Sequence, residues 1–188
     1  MKRPPRYDVP RAAPGPLRVV QELVNSADVE HGREWIGDPE QLRQWLSGRG
    51  LSSDGAEVTA ADLRRVVAVR AALRSLLLEN NGAAPDPNAR ETLSEALRRA
   101  RLALAWDDDR PALSPRAQGV DGAIGRILLV VLNAFQDGSW TRLKACRNCC
   151  WAFYDASRNR SASWCSMQLC GNRKKTRAYR SRRRARPA

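Results

Sequence analysis

The chain has 188 residues, 43% of them hydrophobic, enough for a core of ordinary size, and a formal net charge of +13. All five cysteines lie between positions 146 and 170, and no apolar run has the length of a secretory signal or a membrane span. This argues against a disulfide-stapled secreted domain and for a cytoplasmic protein with no membrane partner.

Residues 1–16 hold five prolines and no apolar period, and read as a flexible leader. A first helix runs from Leu17 to about Asn25 with Leu17, Val20 and Val24 on one stripe. Asp38-Pro39 supplies an N-cap and a first-turn proline for a second helix through Leu42, Trp45 and Leu46, ending near Gly48. Thr59 caps the longest helix, Ala60 to about Glu79, whose apolar arc contains Leu63, Val66, Val67, Leu73, Leu77 and Leu78. Asn81-Gly82 stops it, and Pro85 and Pro87 mark the loop that follows.

Asn88 to Arg101 is again amphipathic, through Leu93, Ala96, Leu97 and Ala100. The period then turns alternating at Leu102, Leu104 and Trp106, and after the turn Asp107-Asp108-Asp109-Arg110-Pro111 a second strand is expected at Ala112-Leu113-Ser114. Consecutive carboxylates on a turn splay apart, so the acidic triplet reads as solvated loop, not as a metal cluster. Val120 to Gln136 is the cleanest helix, with Ile124, Ile127, Leu128, Val131, Leu132 and Phe135 on one face. The fold class is therefore mainly α: a helical domain over 17–141 with one small β-hairpin, followed by a distinct module over 142–188.

Arg70 and Arg74 interrupt the binary pattern, because both fall inside the apolar arc of the longest helix, one turn apart. Guanidiniums there must share carboxylates, cap helix carbonyls or line a cavity. Two readings stay open: internal pairing, with Glu22, Asp28 or Glu30 as candidates, or a ligand pocket in which the two arginines hold a small anionic effector.

The C-terminal module carries the strongest pattern. Cys146 and Cys149 form C-x2-C, Cys165 and Cys170 form C-x4-C, and a polar-aromatic segment separates them. Short spacings deliver two sulfurs from one turn, and four thiolates close a tetrahedral shell around one structural zinc ion. Cys150 adjoins Cys149, points away from that shell, and reads as a small hydrophobe. The lone His31 is left out of the site. A knuckle at Cys146–Cys149, a short hairpin formed by Trp151, Phe153 and the stretch to Trp164, and a helix beginning between Met167 and Asn172 and running to about Arg184 make a treble-clef-like order.

Of the 33 Lys/Arg, fourteen stand at positions 142–188 beside a single acid, Asp155; residues 1–141 keep nineteen of each sign and are neutral. The whole excess charge belongs to the zinc segment, and nucleic acid is the commonest partner of such asymmetry. Candidate contacts are Arg158, Arg160, Arg173, Lys174, Lys175, Arg177 and Arg180.

This segment resembles the CGNR zinc finger through Cys146, Cys149, Trp151, Phe153, Asp155, Ser157-Arg158-Asn159, Trp164-Cys165 and the run Cys170-Gly171-Asn172-Arg173 that the family is named for. The region before it resembles the ABATE domain more loosely, through Asn25-Ser26 and Trp45-Leu46. Proteins with both parts are taken to be stress-induced bacterial transcription regulators. The resemblance implies binding to double-stranded DNA, where residues and charge alone imply zinc and a polyanion.

The leading expectation is a DNA-binding transcription regulator, with the helical domain as sensor or homodimerisation module. An RNA- or ribosome-associated zinc protein and a zinc-dependent protein-interaction module are the alternatives. An enzyme is not expected: there is no His-Glu metal motif, no Gly-rich phosphate loop and no Ser/His/Asp set.

Overall fold

The computed structural model describes residues 11–52, 56–107 and 110–172. Five helices carry the fold: α1 Leu17–Val24, α2 Pro39–Ser47, α3 Ala60–Glu79, α4 Pro87–Ala100 and α5 Gly119–Gln136. Three antiparallel two-stranded ribbons join them: β1 Ala27–Asp28 with β2 Arg33–Glu34, β3 Leu102–Asp107 with β4 Arg110–Pro115, and β5 Leu143–Ala145 with β6 Ala152–Tyr154. Of these, β1–β2 was not expected; two residues per strand leave no readable alternation.

Helix starts follow their capping chemistry. The Asp38 carboxylate accepts from the Gln41 amide at 2.8 Å ahead of Pro39. Thr59 and Asp62 cap each other reciprocally at the start of α3. Asp86 accepts from the Asn88 and Ala89 amides at the start of α4, which ends where Arg101 turns left-handed at φ 50°.

Helix α3 is central, touching α1, α2, α4, α5 and β5. Its buried stripe is Val66, Val69, Arg70, Ala72, Leu73, Leu76 and Leu77, so the expected arc is turned by part of a residue: Val69 and Leu76 are inside, and Val67 is exposed. Contrary to the expectation that no apolar run reaches the length of a membrane span, helix α5 has that length and apolarity, with mean hydropathy 1.3. Here it packs against α1, α3 and α4 instead, burying Ile124, Ile127, Leu128 and Val131. Its expected face continues too far, since Leu132 and Phe135 are exposed. Gly125 sets how closely α5 approaches its neighbours: a Cβ there would stand 2.8 Å from that of Ala100 and 2.9 Å from that of Pro115.

The β3–β4 ribbon pairs Leu104 with Leu113 and Trp106 with Pro111. Its alternation marks an outward face, not a buried one, for Leu104 and Trp106 are 62% and 74% exposed. The supposed leader is tied down from Arg11 onward. The Tyr154 amide donates to the Arg11 carbonyl at 2.9 Å, the Ala13 amide donates to Gln21 Oε1 at 2.7 Å, and Ala13 is buried.

Candidate metal centre and nucleic-acid surface

The hairpin that carries the first two cysteines differs from the expected one. The strand that pairs with Ala152–Tyr154 precedes the first cysteines: β5 and β6 align Leu143 with Tyr154, Lys144 with Phe153 and Ala145 with Ala152. The stretch from Asp155 to Trp164 forms no strand. The knuckle is thus the tip of the hairpin. There the Cys146 amide donates to the Trp151 carbonyl, and the Cys150 amide donates back to the Cys146 carbonyl, each at 2.9 Å. This tight return forces Cys150 to φ +59°.

The second pair is delivered by a different device. Ser166 accepts from the Leu169 amide and caps a π-helical turn, Met167–Gly171, in which both the Cys170 and Gly171 amides reach the Ser166 carbonyl. The widened turn absorbs the four-residue spacer, so Cys165 ahead of the cap and Cys170 within the turn face the same point. The expected helix start falls here; its continuation to Arg184 lies outside the described residues.

The sulfurs of Cys146, Cys149, Cys165 and Cys170 all lie within 4.8 Å of one another, and all four residues are buried. Sulfurs about 2.3 Å from a tetrahedral zinc stand roughly 3.8 Å apart. The 3.6 Å separations of Cys149 from Cys165 and of Cys165 from Cys170 fit that shell. Cys150 is not in the cluster, and burial pushes its thiol up, against the opposing charge of Arg74. Burial and the neighbouring Cys146 likewise raise Cys170. A divalent cation is what allows such packed thiols to ionise together. The centre is positioned to bind one zinc ion, with no open coordination position for water. Trp151 and Phe153 pack around the sulfurs.

Beside the four thiols lies a buried ion pair. Lys144 Nζ donates to Asp155 Oδ2 at 2.8 Å, and the side chains are 6% and 1% exposed. Burial alone pushes the Asp155 carboxyl up. The Lys144 ammonium and the donors of Ser157 and Ala162 outweigh it, bringing the pKa down to about 2. Lys144 also reaches the carbonyls of Arg160 and Ala162. Spacing rules do not flag this pair, although a single acid among fourteen basic residues was a readable signal.

The module is seated on the helices by side-chain amides. Asn81 Nδ2 donates to the carbonyls of Ala145 and Ser163 at 2.7 and 3.0 Å, and Asn80 Nδ2 to those of Trp140 and Leu143 at 2.9 Å each. Asn25 exchanges two bonds with the Ala152 backbone, at 2.7 and 2.9 Å. Arg147 Nε donates to the Asn81 carbonyl at 2.6 Å and lies across Gly82, where a Cβ would meet its guanidinium at 2.7 Å. Leu143, Ala145 and Ala152 belong to the same core as the helices.

Arg158 and Arg160 are exposed on the loop after β6. Arg173, Lys174, Lys175, Arg177 and Arg180 lie outside the described residues. Arg70 is buried and meets Glu34 with both terminal nitrogens, at 2.7 and 2.6 Å, and Ser26 Oγ at 3.0 Å. Arg74 donates to the carbonyls of Val24, at the end of α1, and of Ala27. The carboxylates expected for them are engaged by other groups: Glu22 meets Arg18 and Arg49, and Asp28 and Glu30 meet His31. The true partner, Glu34, arrives on β2, the ribbon without a sequence signature. Burial, and then the charge of Arg70, lower the pKa of Arg74, and its Nε is buried without a hydrogen bond.

A helical domain followed by four clustered thiolates positioned for one metal ion defines a zinc-finger protein. The family model described as "Putative stress-induced transcription regulator" (ABATE) matches residues 17–135, and that of the CGNR zinc finger matches residues 142–183. The chain belongs to the ABATE family and ends in a CGNR zinc finger. No curated protein matches it.

Proposed function

We propose that the protein is a transcription regulator that binds double-stranded DNA through the zinc finger and the basic residues after it. The observation that carries this reading is the segregation of charge: residues 142–188 hold the entire excess of +13, while the helical part is neutral. Several exposed arginines of the helical part are paired where they stand, as with Arg18 on Glu22, Arg90 on Glu79 and Arg99 on Glu95. Among the described residues no carboxylate meets Arg158. A closed shell of four thiolates supports a scaffolding role for zinc, with no reaction at the metal.

Binding of the zinc-loaded protein to duplex DNA and to structured RNA, over a range of salt, tests the reading. Duplex binding that falls steeply with salt is expected, since each phosphate contact releases about one counterion. Absence of a duplex complex, or a preference for RNA at every salt concentration, overturns it.

A further inference from the structure

The loop between β6 and the second cysteine pair is held from inside and empty-handed outside. Asp155 Oδ1 accepts from the amide and hydroxyl of Ser157 at 3.0 and 2.6 Å, and its Oδ2 accepts from the Ala162 amide at 2.9 Å. Lys144 binds the Arg160 carbonyl from below, and Arg142 Nη1 donates to the carbonyls of Asp155 and Ser157, each at 3.0 Å. Arg160 turns left-handed at φ 50° and its guanidinium is engaged by Thr141 Oγ1 at 3.1 Å. The backbone is therefore fixed on both sides of Arg158 and Asn159. Those two side chains are exposed and have no hydrogen-bond partner among the described residues.

Burying an ion pair costs desolvation that its own attraction barely repays. Here that pair orders a loop on which Arg158 and Asn159 are exposed and have no hydrogen-bond or ion-pair partner among the described residues. Rigid backbone with uncommitted side chains is what a recognition element needs, because little freedom is then lost on binding. The residue types are also the two that pair bidentately with purine edges, arginine with guanine O6 and N7, and asparagine with adenine N6 and N7.

We propose that Arg158 and Asn159 read base edges in the major groove of duplex DNA and set the sequence preference of the finger. This rests on the DNA-binding reading above and divides the labour within it: the loop specifies, and the basic residues beyond 172 supply sequence-independent phosphate contacts. Asn159 carries no charge, so its contribution separates cleanly from general electrostatics.

The test uses the full zinc-loaded chain. Selection from a random duplex library defines a preferred sequence; Asn159→Ala and Arg158→Lys are then measured on that duplex and on a scrambled one at one salt concentration. Each variant should lose roughly tenfold to a hundredfold on the preferred duplex and little on the scrambled one. Repeated selection with Asn159→Ala should lose its preference at one adenine. Zinc content and melting temperature should match wild type, because neither side chain supports the fold. Variants that equal wild type on both duplexes, or fall equally on both, overturn the inference. So does a wild-type protein that binds duplex without any preferred sequence, which leaves DNA binding itself standing. A wild type that binds no duplex removes the DNA reading and this inference together.

Discussion

Lys144 Nζ and Asp155 Oδ2 meet at 2.8 Å in the interior of the zinc module, on adjacent sides of the hairpin that carries the first two cysteines. The pair ties the metal knuckle and the Arg158 loop into one rigid unit.

Removing the ammonium strands a buried carboxylate. Lys144→Met should cost about 3–5 kcal/mol of unfolding free energy, read by denaturant melts at neutral pH. A loss within experimental error would mean that the carboxylate finds water instead.

The same pair gives a pH dependence. The folded pKa of Asp155 is depressed to about 2, so its contribution is fully present above the ordinary carboxylate value near 3.9 and is lost as pH falls through the folded value. Stability of wild type should decline over that acid window, and Asp155→Asn should be less stable at neutral pH with a shallower decline. Metal loss in acid is separated by measuring zinc release in the same samples.

Zinc removal should be felt beyond the finger, because Asn25, Asn80 and Asn81 hold its backbone against the helices. Chelation is expected to lower the melting temperature of the helical signal in circular dichroism. Serine at Cys146, Cys149, Cys165 or Cys170 should each abolish the bound zinc, with Cys150→Ser keeping one ion per chain. Cys150→Gly should also keep zinc and gain up to about 1 kcal/mol, since φ +59° suits glycine.

Arg70 is engaged by Glu34 on both terminal nitrogens. Arg70→Met should destabilise the fold by about 2 kcal/mol, moderated by the partial exposure of Glu34, and Arg70→Lys should not restore it because an ammonium lacks the fork. Thermal shifts with phosphate or small carboxylates should be absent for wild type. An anion-induced rise in melting temperature that Arg70→Met abolishes would instead restore a ligand pocket at this helix.

What the sequence alone determined are the features written in local spacing and local charge. Thr59 and the pair Asp38-Pro39 announce helix starts, because a cap acts within one turn. Cys146, Cys149, Cys165 and Cys170 announce the zinc site, because metal geometry restricts how ligands are spaced. Only the tertiary structure decided what depends on segments far apart in the chain. Periodicity placed Arg70 in an apolar arc but not Glu34 opposite it, since a two-residue strand has no period to read. Alternation at Leu102, Leu104 and Trp106 indicated a strand but not which face meets water, because that is settled by how the ribbon lies against α5. The seat of the finger on Asn80 and Asn81 is likewise a product of packing: hydrogen bonds between residues sixty or more apart leave no mark in either stretch taken singly.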